Sequence, residues 1–242
     1  MSRYTLTPVF ALPFVFACAA EDPAPSYTVH VHGALAQPSD LAVARAYHDS
    51  AAAAVEDTAR SAGDFAHHVL LGTPYAGTPA DEFLAIDRWH GALADVQAFY
   101  ADPQFRSATA GLYASPPSVQ VYERREDWIS WGESGGFAGP YWFVTVEGRL
   151  AQGAEDANRE AHDAVAGGFE AQASAAGDVA HLPHLGVGDP RAFFNIDVWA
   201  SEQGMLQTFG DPAFQSRFLA LFEGPPTVRI YRSTDWYQWY QP

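Results

Sequence analysis

The chain has 242 residues, 48% hydrophobic and 14% aromatic, which allows one large or two small domains with real cores and excludes disorder over most of its length. All 13 basic residues are Arg, and against 29 acidic residues they leave a formal charge of −16, a surface that repels phosphate backbones and excludes nucleic acid as a partner. The one cysteine, Cys18, rules out an intrachain disulfide.

Residues 1–25 read as a signal peptide and tether. Arg3 supplies a positive start, and positions 6–17 are uncharged and mostly apolar, too short to span a bilayer but long enough for a signal-peptide core. Val15-Phe16-Ala17-Cys18 resembles a bacterial lipobox, which would lipidate Cys18 and hold an exported protein to the cell envelope. Free secretion, or release into the periplasm, is the alternative.

Alternating side-chain character then predicts a strand over 27–32. A helix follows over 39–62, with Leu41, Ala44, His48, Val55 and Ala59 on its buried stripe. Strands are expected over 65–71 and 82–89. A second helix runs to about 113 before Pro116-Pro117, and a last strand covers 118–123. The Gly-rich stretch 132–140 is a linker. The same order then recurs: strand 142–147, helix 155–176, strands 179–185 and 192–199, a helix to about 222 and a strand over 227–232.

The recurrence is also literal. Ala62-Gly-Asp64 matches Ala176-Gly-Asp178, and Ile86-Asp87-x-Trp89 matches Ile196-Asp197-x-Trp199. Asp102-Pro-x-Phe105 answers Asp211-Pro-x-Phe214, and Asp127-Trp-x-x-Trp131 answers Asp235-Trp-x-x-Trp239. The expected fold is α+β: tandem ferredoxin-like βαββαβ units, at 26–131 and 141–242, forming one pseudo-dimeric α/β barrel. Each sheet carries helices on one face only, so the two sheets would cover each other within the chain and the protein would be a monomer.

The segments Phe83-Leu-Ala-Ile-Asp-Arg-Trp89 and Tyr100-Ala-Asp-Pro-Gln-Phe105 resemble the antibiotic biosynthesis monooxygenase family of dimeric α/β barrels. Phe193-Phe-Asn-Ile-Asp-Val-Trp199 and Gly210-Asp-Pro-Ala-Phe214 resemble it again. The resemblance implies a barrel cavity lined by Trp89 and Trp199, a small aromatic or quinone-like ligand, and monooxygenase chemistry without a cofactor. The His common in the family's second helix aligns with Phe99 and Phe209, which argues against haem. An isomerase or cyclase of the same superfamily, a non-catalytic ligand-binding lipoprotein and a packed interaction module are the alternatives.

Alternation on the third strand puts Phe83, Ala85, Asp87 and Trp89 on one face, read as the cavity side, and Leu84 and Ile86 on the other, read as the helix side. On the first strand Thr28, His30 and His32 fall on the cavity face, answered by Phe143, Thr145 and Glu147 in the second half. A His beside a carboxylate is a general base near neutral pH, so His30, His32 and Asp87 are the expected catalytic group. Phe83, Trp89, Thr145, Glu147, Asn195, Asp197 and Trp199 are expected to line the substrate, together with His67 and His181 on the second strands. His48 and His162, equivalent in the repeat, read as core histidines with a hydrogen-bond partner. A metal at His30-x-His32 with His67 or His68 is disfavoured, because the second strand does not neighbour the first. Since only the first half carries the His pair, any active site is expected to be single and asymmetric.

Overall fold

The computed structural model describes residues 25–132 and 139–241; the leader, Cys18 and most of the linker lie outside them. The first half comprises β1 (Ser26–Ala34), α1 (Leu41–Ser61), β2 (Asp64–Gly72), β3 (Glu82–His90), α2 (Leu93–Ala101), α3 (Pro103–Thr109) and β4 (Ser118–Arg124). The second comprises β5 (Trp142–Arg149), α4 (Glu155–Ala176), β6 (Asp178–Gly186), β7 (Asp189–Trp199), α5 (Glu202–Gly210), α6 (Pro212–Leu219), β8 (Thr227–Ser233) and the short β9 (Trp239–Tyr240). The expected single second helix is two helices in each half. Asp102 and Asp211 stop the first piece and cap the second through their carboxylates, with Pro103 and Pro212 opening the new helix.

β1 pairs with β3 and β4, and β2 with β3; β5 pairs with β7 and β8, and β6 with β7. Two antiparallel seams, β4 with β6 and β2 with β8, then join the halves. The result is a closed barrel of eight antiparallel strands, with β9 added beside β2.

The barrel is filled. Leu70, Leu84, Ile86, Phe143, Phe194 and Tyr231 meet in its lumen and are essentially inaccessible. Eight strands leave an interior just wide enough for their own side chains. The expected faces of β3 are therefore reversed: Leu84 and Ile86 fill the barrel, while Phe83, Ala85 and Trp89 pack outward against the helices with Val29 and Val31. Leu41, expected on the buried stripe of α1, is exposed; Ala44, His48, Ala52 and Ala59 form that stripe.

Each half is closed by the other half's tail. After β4 the chain crosses to β6, where Trp131 and His181 exchange backbone hydrogen bonds of 3.3 and 2.9 Å. After β8 it crosses to β2, where Trp239 stands opposite His67. The first crossing requires Gly132: its φ is 71°, and a Cβ there would lie 2.0 Å from the Val179 carbonyl oxygen.

Candidate functional site

Strand register dictates the chemistry on the outer faces of the barrel. His67 on β2 stands opposite Asp87 on β3, so both side chains point to the same side, toward α1. His67 Nδ1 lies 2.5 Å from Asp87 Oδ1, and His67 Nε2 lies 3.1 Å from Nε2 of His48, which α1 supplies. His48 Nδ1 is in turn 3.0 Å from Asp49. The second half repeats this with Asp197, His181, His162 and Asp163 at 2.6, 3.1 and 3.0 Å. Each chain of groups runs from a buried carboxylate to a carboxylate at the surface, 30% exposed for Asp49 and 26% for Asp163.

The exchanged tails hold these chains in place. Trp239 stacks on His67 with ring centroids 4.4 Å apart, and Trp131 on His181 at 4.5 Å. The outer carboxylates accept backbone N–H groups of the same tails, Tyr237 to Asp49 and Ile129 to Asp163, both at 2.8 Å.

Burial dominates the electrostatics. It pushes His48 and His162 down to about 4, and the neighbouring imidazole adds to the effect. Beside the inner carboxylates sit Asp64 and Asp178. Burial, then the charge of Asp87, raises Asp64 well above the usual carboxylate range; burial and Asp197 raise Asp178 to about 9. The Trp131 indole N–H faces Asp178 without reaching hydrogen-bond geometry. Each half thus holds a carboxyl group whose charged form burial opposes, Asp64 or Asp178, next to a carboxyl group bonded to a His.

Above each group lies an apolar cavity of about 50 Å³ between the sheet and the helices. That is room for water, and roughly a third of the ~150 Å³ that takes up a benzene ring. The second-half cavity is bounded by His162, Asp178, His181, Asn195, Asp197 and Trp199, the first-half cavity by His48, Asp64, His67, Phe83 and Asp87.

The halves differ at one decisive place. In the first, the Tyr100 hydroxyl donates to Asp87 Oδ2 at 2.5 Å and lies 3.3 Å from Trp89 Nε1, which donates to it. The helices α2 and α5, nine residues each, put Phe209 at the position of Tyr100 rather than of Phe99. Tyr100 meets Trp89 edge-on at 5.8 Å, and Phe209 meets Trp199 edge-on at 6.1 Å. Without that hydroxyl, Trp199 Nε1 is buried with no partner, and Asp197 Oδ2 has none among the described residues. Asn195, which answers Ala85, adds a third unclaimed atom, its buried Oδ1.

Of the residues expected from sequence, Asn195, Asp197, Trp199 and His181 share the second cavity. Phe83, Asp87 and His67 line the first, and Trp89 lies buried behind Tyr100. His30 and His32 do not meet Asp87. They point into the barrel with Thr145, on the opposite face of the sheet, where His30 stacks on Phe194 at 5.1 Å. Their carboxylate neighbours are instead Glu147, 3.2 Å from His30, and Glu82, 3.2 Å from His32. No group of three metal-ligating side chains is assembled among the described residues. Sequence reasoning passed over Asp64 and Asp178, Trp131 and Trp239, and took His48 and His162 for core residues. All six fall in matched positions of the two halves, and that coincidence was the available signal.

No family model matches the chain, and no curated protein is similar to it in sequence. Its fold is that of known structures. A proposed monooxygenase from Fusobacterium nucleatum superposes with a TM-score of 0.61 over 91% of this chain and 99% of its own, at 6% identity. An anthrone oxidase-like protein does so at 0.57 over 90% and 94%, with 18% identity. A chlorite dismutase from Candidatus Nitrospira defluvii gives 0.52 over 87% and 92%, with 14% identity. At such identities the likeness is one of fold alone: an α/β barrel of eight antiparallel strands with helices packed outside it.

Proposed function

We propose that the second-half cavity binds a small phenolic or enolic aromatic molecule and oxidises it with dioxygen, without a cofactor. On this reading the chain is a tandem fusion of two ferredoxin-like units of the antibiotic biosynthesis monooxygenase type, exported and lipid-anchored through Cys18. Export rests on the leader sequence alone.

The observation that carries the reading is the empty counterpart of Tyr100. In the first half a phenol hydroxyl bridges Asp87 and Trp89. In the second half the matching atoms, Asp197 Oδ2 and Trp199 Nε1, have no hydroxyl between them. The buried Trp199 Nε1 without a partner costs about 1–3 kcal/mol, and a ligand hydroxyl placed like that of Tyr100 would accept from it while donating to Asp197 Oδ2. Its ring would lie among apolar side chains such as Phe193 and Phe218. A flat ring needs more room than the closed cavity offers, so entry would lift the Trp131 tail.

The chemistry follows from the bound pose. Asp197, held by His181, takes a proton and leaves an electron-rich anion that dioxygen can oxidise; a CH₂ group and O₂ become a carbonyl and water. Anthrone is the natural probe, given the anthrone oxidase-like structural relative. Oxygen uptake with anthrone that is lost in Asp197→Asn supports the proposal, and no binding of anthrone defeats it. A second reading, isomerisation, is favoured by the neutral acid Asp178 beside the base Asp197. It would give turnover of an enolisable ketone with no oxygen consumed.

A further inference from the structure

We infer that Asp197, His181, His162 and Asp163 form a one-proton store serving the second cavity, which takes the proton that a bound hydroxyl or acidic C–H gives up and later returns it. The inference rests on the reading of that cavity as a ligand site.

The argument is one of counting. Four groups make three successive contacts, at 2.6, 3.1 and 3.0 Å. Each contact needs one hydrogen. Two neutral imidazoles carry one N–H each, and two carboxylates carry none, so two hydrogens serve three contacts. One contact is therefore vacant, with two lone pairs facing each other. A single added proton fills it, and all three contacts are then satisfied wherever along the chain that proton sits. Burial disfavours the charged form of His162, which opposes filling the vacancy there from solvent.

The steps balance. The ligand O–H breaks and an O–H forms on Asp197. The carboxyl turns and passes that proton to Nδ1 of His181. His181 Nε2 gives its own hydrogen to Nε2 of His162, whose Nδ1–H moves toward Asp163. The reverse sequence returns a proton to the cavity. Oxidation of CH₂ to a carbonyl by O₂ needs this traffic, because both carbon-bound hydrogens end on the departing water. The titratable groups around the pair are Asp163 on α4, Asp178 on β6 and Asp197 on β7. The tail contributes Trp128 and Trp131, which do not titrate.

The test uses 4-nitrophenol, whose phenolate absorbs at a distinct wavelength. At about pH 6 the free compound is mostly neutral, and binding should turn it to phenolate with no net proton release to an indicator dye. His162→Gln should bind it within about threefold of the wild-type affinity but leave it neutral. His48→Gln, in the half whose hydroxyl position Tyr100 fills, should behave as wild type. Wild-type binding as the neutral phenol, or release of one proton per ligand, overturns the store. Failure of the wild type to bind any phenol would instead remove the proposed function. The store is then decided without ligand, by 15N NMR of the histidines on acidification. His162 and His181 should respond together to one shared proton, with the His181 response displaced in His162→Gln. Separate responses, unchanged in the variant, would overturn it.

Discussion

The first half and the second half carry the same acid, the same two histidines and the same covering Trp, yet only the second leaves the indole N–H of its strand Trp, Trp199, buried without a partner. One hydroxyl makes the difference. Tyr100 satisfies Asp87 and Trp89, so the first site is a finished piece of core; Phe209 supplies nothing to Asp197 and Trp199. The lesson is that a duplicated site is read best from where its copies part. The shared groups report what the fold requires, and the departure reports what one copy does.

The comparison breaks most sharply at the two buried carboxylates. Asp197→Asn should lower phenol affinity and any turnover by about a hundredfold, and cost less stability than Asp87→Asn because it disturbs an imidazole but no hydroxyl. Asp87→Asn should leave the second site binding but cost about 2–3 kcal/mol in urea unfolding, because it disturbs a hydroxyl and an imidazole already engaged. Equal effects of the two on binding would end the distinction between the halves.

The covering tails come next. Trp239→Ala should cost about 3 kcal/mol and expose His67, while Trp131→Ala should cost less, its ring being only half-buried, and should speed ligand entry to the second cavity. Gly132→Ala should act like the latter by lifting the same tail, at about 1–3 kcal/mol. Stopped-flow binding and thermal unfolding together check both.

Swapping the deciding residue sharpens the comparison. Phe209→Tyr should fill the gap, raise stability by about 1 kcal/mol and abolish phenol binding. Tyr100→Phe should lower stability by about 1–2 kcal/mol and add a second, weaker binding site, visible as stoichiometry in calorimetry. Binding that survives Phe209→Tyr would mean that the ligand hydroxyl lies elsewhere.

A further set of effects is in the pH dependence. His48, His68 and His162 are held below their ordinary range by burial, so the unfolded chain binds more protons than the native one. Stability should be full above about pH 6.5 and fall as pH drops toward 4. Asp178 has the opposite sign: its native form keeps a proton that the unfolded chain loses near pH 4. It should lower stability progressively as pH rises from about 4 to about 9. Asp178→Asn should remove that opposing slope, steepening the acid fall and flattening the limb between about pH 6.5 and 9; an unchanged upper limb would show that the carboxyl is ionised in the native protein.

The order of the eight barrel strands and of the long helices was legible, and the helix over 155–176 coincides with α4; the break of each second helix at Asp102 and Asp211, and β9, were not. So was the set Asn195, Asp197 and Trp199, because period-two alternation puts those three on one face whatever the fold does next. The role of His30 and His32 was not legible. Alternation separates two faces without saying which one a barrel encloses. That was decided by the seams β4–β6 and β2–β8, which join segments far apart in the chain. Once they close, eight strands fill their own lumen, and the cavities beside the His–Asp groups lie under the helices. The reach of each tail into the opposite half, and the single hydroxyl that Tyr100 supplies and Phe209 lacks, are likewise matters of through-space contact. Sequence by itself determined the repeat, its charge and which side chains share a face; tertiary closure alone decided which face was inside and which copy was left incomplete.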